Sequence, residues 1–305
     1  MTHARAVVLM VLVTLLWSMA GVVTRHLDSA QSFEVTFWRS GFNALALAVV
    51  LSFMRGPALW RGVLHSPPVV WLSGFCWAAM FTSFMIAITL TTVANVLVTL
   101  AIGPLITALF ARIFLRHKLP AMTWLAIAIA GFGIAWMFGK EAGAGVSLLG
   151  TLIALTVPCA SSINFTALQL VGHDHRNRNA GKNAQDMLPA ILIGATLSAG
   201  ATLPFAWPLQ SSAHDLGLLA FLGFFQLAVP CLLVVRLSRE LPAPEIALLA
   251  LLEVIFGVTW AWLWAGEQPS PSTLTGGILV LGALVANESL GLRKKRRLAA
   301  GVSQA

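Results

Sequence analysis

Apolar residues along this chain come in long runs, and short clusters of charged residues, Gly, Pro and Ser punctuate them. A helix that crosses the hydrocarbon of a bilayer needs about 20 mostly apolar residues. Ten such stretches can be marked, at roughly 4–24, 33–54, 68–88, 93–114, 120–138, 146–170, 186–206, 214–235, 244–264 and 272–292. The run from Val69 to Phe114 is too long for one crossing and carries only one charge, Arg112. It must turn within itself, and LTTVAN, where Thr91 and Thr92 permit a very short turn, is the place. The longest connector is HDHRNRNAGKNAQD, 173–186, so no soluble domain is expected between spans. The pattern predicts an all-α polytopic membrane protein with ten transmembrane helices.

Composition agrees with that pattern. Of 305 residues, 58% are hydrophobic and 10% charged, with a mean hydropathy of +0.85, whereas a soluble domain has about a quarter of its residues charged. The formal charge of +8 would suggest nucleic acid in a soluble protein. In a membrane protein, basic residues report topology instead, and no nucleic-acid partner is expected. Alternate assignment of the loops puts sixteen Lys and Arg on one side, from Arg5 through Arg55, Arg61, Arg112, Arg116 and Lys118 to the tail RKKRR at 293–297. The other side takes Arg25 and Lys140 alone. This bias predicts that both termini are cytoplasmic, and one helix more or fewer would scramble it. The tail has the charge to bind anionic lipid as well. The first span, with Arg5 and Ser18-Met19-Ala20, also imitates a signal peptide, but cleavage would leave nine spans and spoil the alternation.

Little in the chain points to catalysis. Cys76, Cys159 and Cys231 sit in apolar runs without metal-ligand spacing and read as packing residues. The seven histidines fall in loops or near helix ends. No Gly-rich phosphate loop and no G-x-S-x-G elbow is present. No metal or cofactor is expected, and a membrane-embedded lipid-modifying enzyme is the weaker alternative because no His/Asp or Cys/His dyad falls within a span.

The chain divides near KEAGAG into 1–142 and 143–305, with five predicted spans in each. A shift of about 150 residues lays Thr123 on Thr273, and Pro120 to Gly131 has the spacing of Pro271 to Gly282. Five is odd, so the second half would enter the membrane inverted relative to the first, as in many secondary transporters. Trp17-Ser18, Arg39, Gly103-Pro104 and Gly266-Glu267 carry a more specific likeness. Over nearly its full length the chain resembles the EamA type of the drug/metabolite transporter superfamily, and among its members the bacterial aromatic amino-acid exporters. The family pattern has a second Gly-Glu pair closing the fourth span, where this chain has Arg116-His117. The resemblance implies an inner-membrane exporter of small metabolites, amino acids or cationic drugs, working by alternating access around a central cavity and able to act as a monomer.

Residues that face such a cavity should share a helical face at spacings of i, i+3, i+4 and i+7. The candidate substrate-binding residues on such stripes are Trp17, Trp77, Met80, Phe84, Asn95, Thr99, Ser161, Asn164, Gln226, Glu253 and Trp260. Membrane tryptophans normally sit at the interfaces, but Trp17 and Trp77 fall in mid-span, where the indole N–H needs a partner or a wet cavity. Their faces could stack on aromatic substrates or attract a cation. Helix packing explains the small polar residues equally well. Glu253, in ALLALLEVIFGVTW, is the conspicuous residue. Counted from Pro244 it lies roughly 13 Å inside the membrane, where a charge costs at least ~2.5–3.5 kcal/mol. It is expected to attract a substrate amine or to exchange a proton. Arg39 is expected to snorkel to the headgroups, Glu267 to close a helix at the surface, and Glu288 to pair with the basic tail.

Overall fold

The computed structural model describes residues 3–56, 58–114, 121–142, 147–177, 186–241, 246 and 249–302, and every regular element among them is helical. The first half comprises α1 (His3–Thr24), α2 (Ser32–Arg55), the short α3 (Ala58–Leu64), α4 (Pro68–Leu90), α5 (Val93–Leu100), α6 (Gly103–Phe114) and α7 (Ala121–Ala142). The second comprises α8 (Leu148–Asn177), α9 (Leu188–Ala206), α10 (Ala213–Phe221), a π-helical turn (Leu222–Ala228), α11 (Val229–Leu237), α12 (Leu252–Trp264) and α13 (Pro271–Val302). Among the described residues, seven stretches are long and apolar enough to cross a membrane: His3–Thr24, Ser32–Arg55, Pro68–Leu90, Val93–Phe110, Leu148–Leu168, Leu188–Ala206 and Ala213–Leu237. The other three predicted spans hold shorter apolar helices, Trp124–Trp136, Leu252–Trp264 and Pro271–Asn287. The protein is thus a helical, multi-pass membrane protein. The division point at 143–146, residues Arg116, Lys118 and Pro244, and the side chains of Arg112, Glu288 and the basic tail lie outside what is described.

Local chemistry sets the helix ends. Pro68 opens α4 at a position where its missing N–H costs nothing. The LTTVAN turn is two residues long: Thr91 ends α4 in extended conformation, and Thr92 caps α5 by accepting the Asn95 N–H at 3.2 Å. Two spans are interrupted inside. The stretch predicted as one helix at 93–114 breaks at Ala101–Ile102, just before Gly103-Pro104, where Pro104 has no N–H for the preceding turn. The predicted span at 214–235 contains the π turn one turn ahead of Pro230, with Val229 N–H bonded to the Phe224 carbonyl, five residues back.

Lipid tails are as apolar as leucine, so close packing has to hold these helices together. Helix α4 lies against α8 and α9, α2 against α9 and the π turn, α7 along α13, and α1 against α12 and α11. At the α4–α9 crossing, a Cβ on Gly194 would stand 2.4 Å from the Trp77 Cβ and 2.9 Å from the Gly74 carbonyl oxygen. Only paired glycines permit that approach. The buried apolar residues form two clusters, one around Met10, Leu47, Leu51, Ile191 and Val234, the other around Ile88, Leu97, Ala130, Leu222 and Val280. Phe53, Phe205 and Ile278 point outward, as bilayer-facing side chains do.

Carboxylates tie one end of the bundle together. Glu267 accepts from Arg25 Nε at 2.5 Å and from the Val93 N–H at 3.0 Å, and Arg25 Nη2 also donates to the Thr91 carbonyl at 2.8 Å. Glu267 therefore links α1, the α4–α5 turn and the end of α12, a larger part than closing one helix. Asp215 forms a capping box with Ser212 at the start of α10 and accepts the N–H groups of Asp28, Ser29 and Ala30. Glu34 accepts the N–H groups of Gln210 and Ser211 through Oε1.

Candidate functional site

A cavity of about 130 Å³ lies where the two apolar clusters meet, bounded by α1, α2, α4, the α5–α6 break, α8, the π turn with α11, and the start of α12. Its size matches the ~150 Å³ of an apolar cavity that takes up benzene. Trp77, Met80, Phe81 and Phe84 wall it from one face of α4, Trp17 from α1 and Phe165 from α8. Arg39, Thr107, Ser161, Gln226 and Glu253 interrupt this apolar wall with polar groups. A mostly apolar hollow with a few convergent polar groups is the usual form of a small-molecule site.

Arg39 departs from the expectation that it snorkels to the headgroups. It is 2% exposed and lines the cavity. Its Nε and Nη2 donate to Gln226 Oε1 at 3.2 and 2.8 Å, and its guanidinium carbon lies 5.8 Å from the centre of the Phe84 ring, within cation–π range. Nη1 has no hydrogen-bond partner among the described residues. Gln226 is itself held by donating Nε2 to the Trp17 carbonyl at 3.0 Å. Gly223 makes the pairing possible: a Cβ there would lie 2.8 Å from the Arg39 carbonyl oxygen and 2.5 Å from the Phe42 Cβ. The π turn is thereby pressed onto α2, with Gln226 opposite Arg39.

Glu253 belongs to the first turn of α12, which starts after a turn at Leu251. The sequence places it in the middle of a continuous span, and here helical residues 249–250 lead into α12 through Leu251, whose own backbone is helical (φ −62°, ψ −22°). It is half-buried, lines the cavity, and has Arg39 as an electrostatic partner.

Seven of the sequence candidates meet around the cavity: Trp17, Trp77, Met80, Phe84, Ser161, Gln226 and Glu253. The other four are placed in contacts between or within helices. Asn95 Nδ2 donates to Thr91 Oγ1 and to Thr151 Oγ1 on α8. Thr99 Oγ1 donates to the Asn95 carbonyl in its own helix. Asn164 Oδ1 accepts from Ser73 on α4 at 2.6 Å. Trp260 Nε1 donates to Ser18 on α1 at 3.0 Å. Asn95, Asn164 and Trp260 thus answer the need of a polar group in lipid for a neighbouring helix. The stripes did not single out Arg39, Phe81, Thr107 or Cys231, all of which line the cavity. Phe81, four residues after Trp77, was within reach of the spacing rule. Cys231 was not, because a single thiol in an apolar run gives no such signal.

The sequence profile described as the EamA-like transporter family matches residues 4–139 and 180–287. The chain is similar to the pseudopaline exporter CntI of Pseudomonas aeruginosa (strain UCBPP-PA14), at 24% identity over 285 residues, covering 92% of this chain and 94% of that one. It is also similar to an uncharacterized transporter, YdfC, of Bacillus subtilis (strain 168), at 25% identity over 80% of this chain and 77% of that one. A solved crystal structure shares the fold with a TM-score of 0.62 at 18% identity, covering 95% of this chain and 99% of the other. The chain belongs to the EamA-like transporter family.

Proposed function

We propose that this protein exports small metabolites across the bacterial inner membrane, amino acids including aromatic ones foremost, by alternating access. The observation that carries the reading is the cavity itself, which combines an aromatic wall, Trp17, Trp77 and Phe84, with the Glu253 carboxylate. The wall suits a ring or an aliphatic side chain, and the carboxylate suits an amino group. The relative that is an exporter of pseudopaline supports the direction of transport. In this reading ten helices cross the membrane as two inverted five-helix halves, 1–142 and 143–305, with both termini cytoplasmic. The two-part family match, 4–139 and 180–287, supports that division. The substrate cavity lies between the halves and one chain suffices for a transport cycle.

The test is flux of labelled phenylalanine and threonine in proteoliposomes, wild type against Glu253→Gln, with and without a pH gradient. The expected result is wild-type flux that responds to the gradient and mutant flux that does not. Equal, gradient-independent flux in both would remove Glu253 from coupling and leave it as a packing residue. The second reading, export of cationic drugs, is favoured by the same Glu253 and tryptophan faces. Faster flux of methylviologen than of either amino acid would establish it instead.

A further inference from the structure

Arg39 is the buried cation that the amino-acid reading has not yet used. A guanidinium offers five N–H donors and no acceptor. Here Nε and Nη2 are both taken by one oxygen of Gln226, while Nη1 is buried and without a partner among the described residues. No ion pair within 4 Å is made by Arg39 among the described residues either, although the residue lines the cavity. A buried charge kept this way is fixed in orientation, and Glu253, its electrostatic partner across the cavity, makes no direct ion pair with it; arginine is the side chain best suited to receive a planar oxyanion. The Phe84 ring at 5.8 Å from the guanidinium carbon and the bond from Gln226 to the Trp17 carbonyl hold the group in place without neutralising it.

We infer that Arg39 is the carboxylate-binding group of the cavity, positioned by Gln226, and that the substrates are small metabolites bearing a carboxylate. This rests on the export reading above and narrows it. Glu253, on α12, supplies the opposite pole, so the site is built for a zwitterion whose side chain lies along the Trp17–Trp77 wall. A cation that lacks a carboxylate engages only half of it. Gln226 acts as a positioning residue, since both lone pairs of its oxygen are taken by Arg39.

The experiment is competition against labelled phenylalanine flux in proteoliposomes of the wild-type protein, with 3-phenylpropionate, phenylalaninamide and 2-phenylethylamine as probes. Phenylalanine and phenylalaninamide differ by the carboxylate alone, so unlabelled phenylalanine should compete better than its amide by roughly 10- to 100-fold, and 3-phenylpropionate and 2-phenylethylamine, which each engage one pole, should fall below it as well. In direct binding measurements in detergent, Arg39→Lys should keep a reduced preference for phenylalanine over its amide, and Arg39→Gln should abolish that preference. If the amide competes as well as phenylalanine, Arg39 is not a carboxylate receptor, and amino-acid export stands without it. If phenylalanine is not transported and no probe binds, the export reading falls and this assignment with it. The wild-type comparison decides between these outcomes even if an Arg39 variant fails to fold.

Discussion

Gln226 accepts two donors of Arg39 on one oxygen and gives its own amide N–H to the Trp17 carbonyl. Through that single side chain the π turn, α2 and α1 are joined in the interior. Gln226→Leu keeps the volume roughly but leaves two charged donors of Arg39 without their acceptor. It should cost about 2–3 kcal/mol of stability, the penalty for a buried hydrogen bond to a charged group, read as a lower thermal midpoint in detergent. Gln226→Glu retains the acceptor and should remain within about 1 kcal/mol of wild type, since a charged partner for Arg39 offsets the added desolvation. Equal stability of the two variants would show that Arg39 does not depend on this acceptor. The residues differ in how far the sequence discloses them. Glu253 is conspicuous because nothing charged surrounds it in ALLALLEVIFGVTW. Arg39 lies seven positions from the start of α2, a depth from which arginine normally reaches the headgroups. Its burial depends on Gly223, far along the chain, and single-span reasoning has no access to such a contact.

Helices α4 and α9 cross where Gly74 and Gly194 face each other, and the Trp77 Cβ occupies the space left by the absent Gly194 side chain. Gly194→Val must therefore either separate the helices or displace Trp77 from the cavity wall. The expected cost is about 1–3 kcal/mol, as for overpacking elsewhere, accompanied by loss of phenylalanine flux. Gly131→Ala on α7 is the control: nothing lies within 4 Å of a Cβ there, so stability and flux should not fall. Loss of stability in both would assign the effect to helix glycines in general. The elements themselves were largely readable, because length and hydropathy fix where a helix can cross and Thr91–Thr92 mark the turn. The break at Ala101–Ile102, the π turn at Leu222–Ala228 and the turn at Leu251 ahead of α12 were not. An interrupted helix and a continuous one have the same hydropathy, and Pro104 or Pro230 signals only that a kink is allowed.

At the scale of the molecule, the proposed architecture turns on parity. Glu267, Asp215 and Glu34 tie together the Arg25 end of the bundle, and the sparse basic charge of that end contrasts with the sixteen Lys and Arg assigned to the other. The Arg25–Glu267 pair is about a quarter exposed on its arginine, so a double-mutant cycle should give a coupling of no more than about 1 kcal/mol. Its role is to position the α4–α5 turn, and the stability of the bundle does not depend on it. The orientation is decided by the basic residues, and reporter fusions measure it directly. Alkaline phosphatase needs the oxidising outer side to form its disulfides, and a fluorescent protein joined to the C-terminus reports the inner one. With five crossings in each half, phosphatase fused after Ala142 should be active and phosphatase fused after Ala305 inactive, while the C-terminal fluorescent fusion should glow. Activity at both phosphatase positions, or at neither, would place the two points on the same side of the membrane. The second half would then hold an even number of crossings, and the inverted repeat would be lost even though the helices and the cavity between them remained. The pattern of active and inactive fusions thus tests the duplication independently of any substrate.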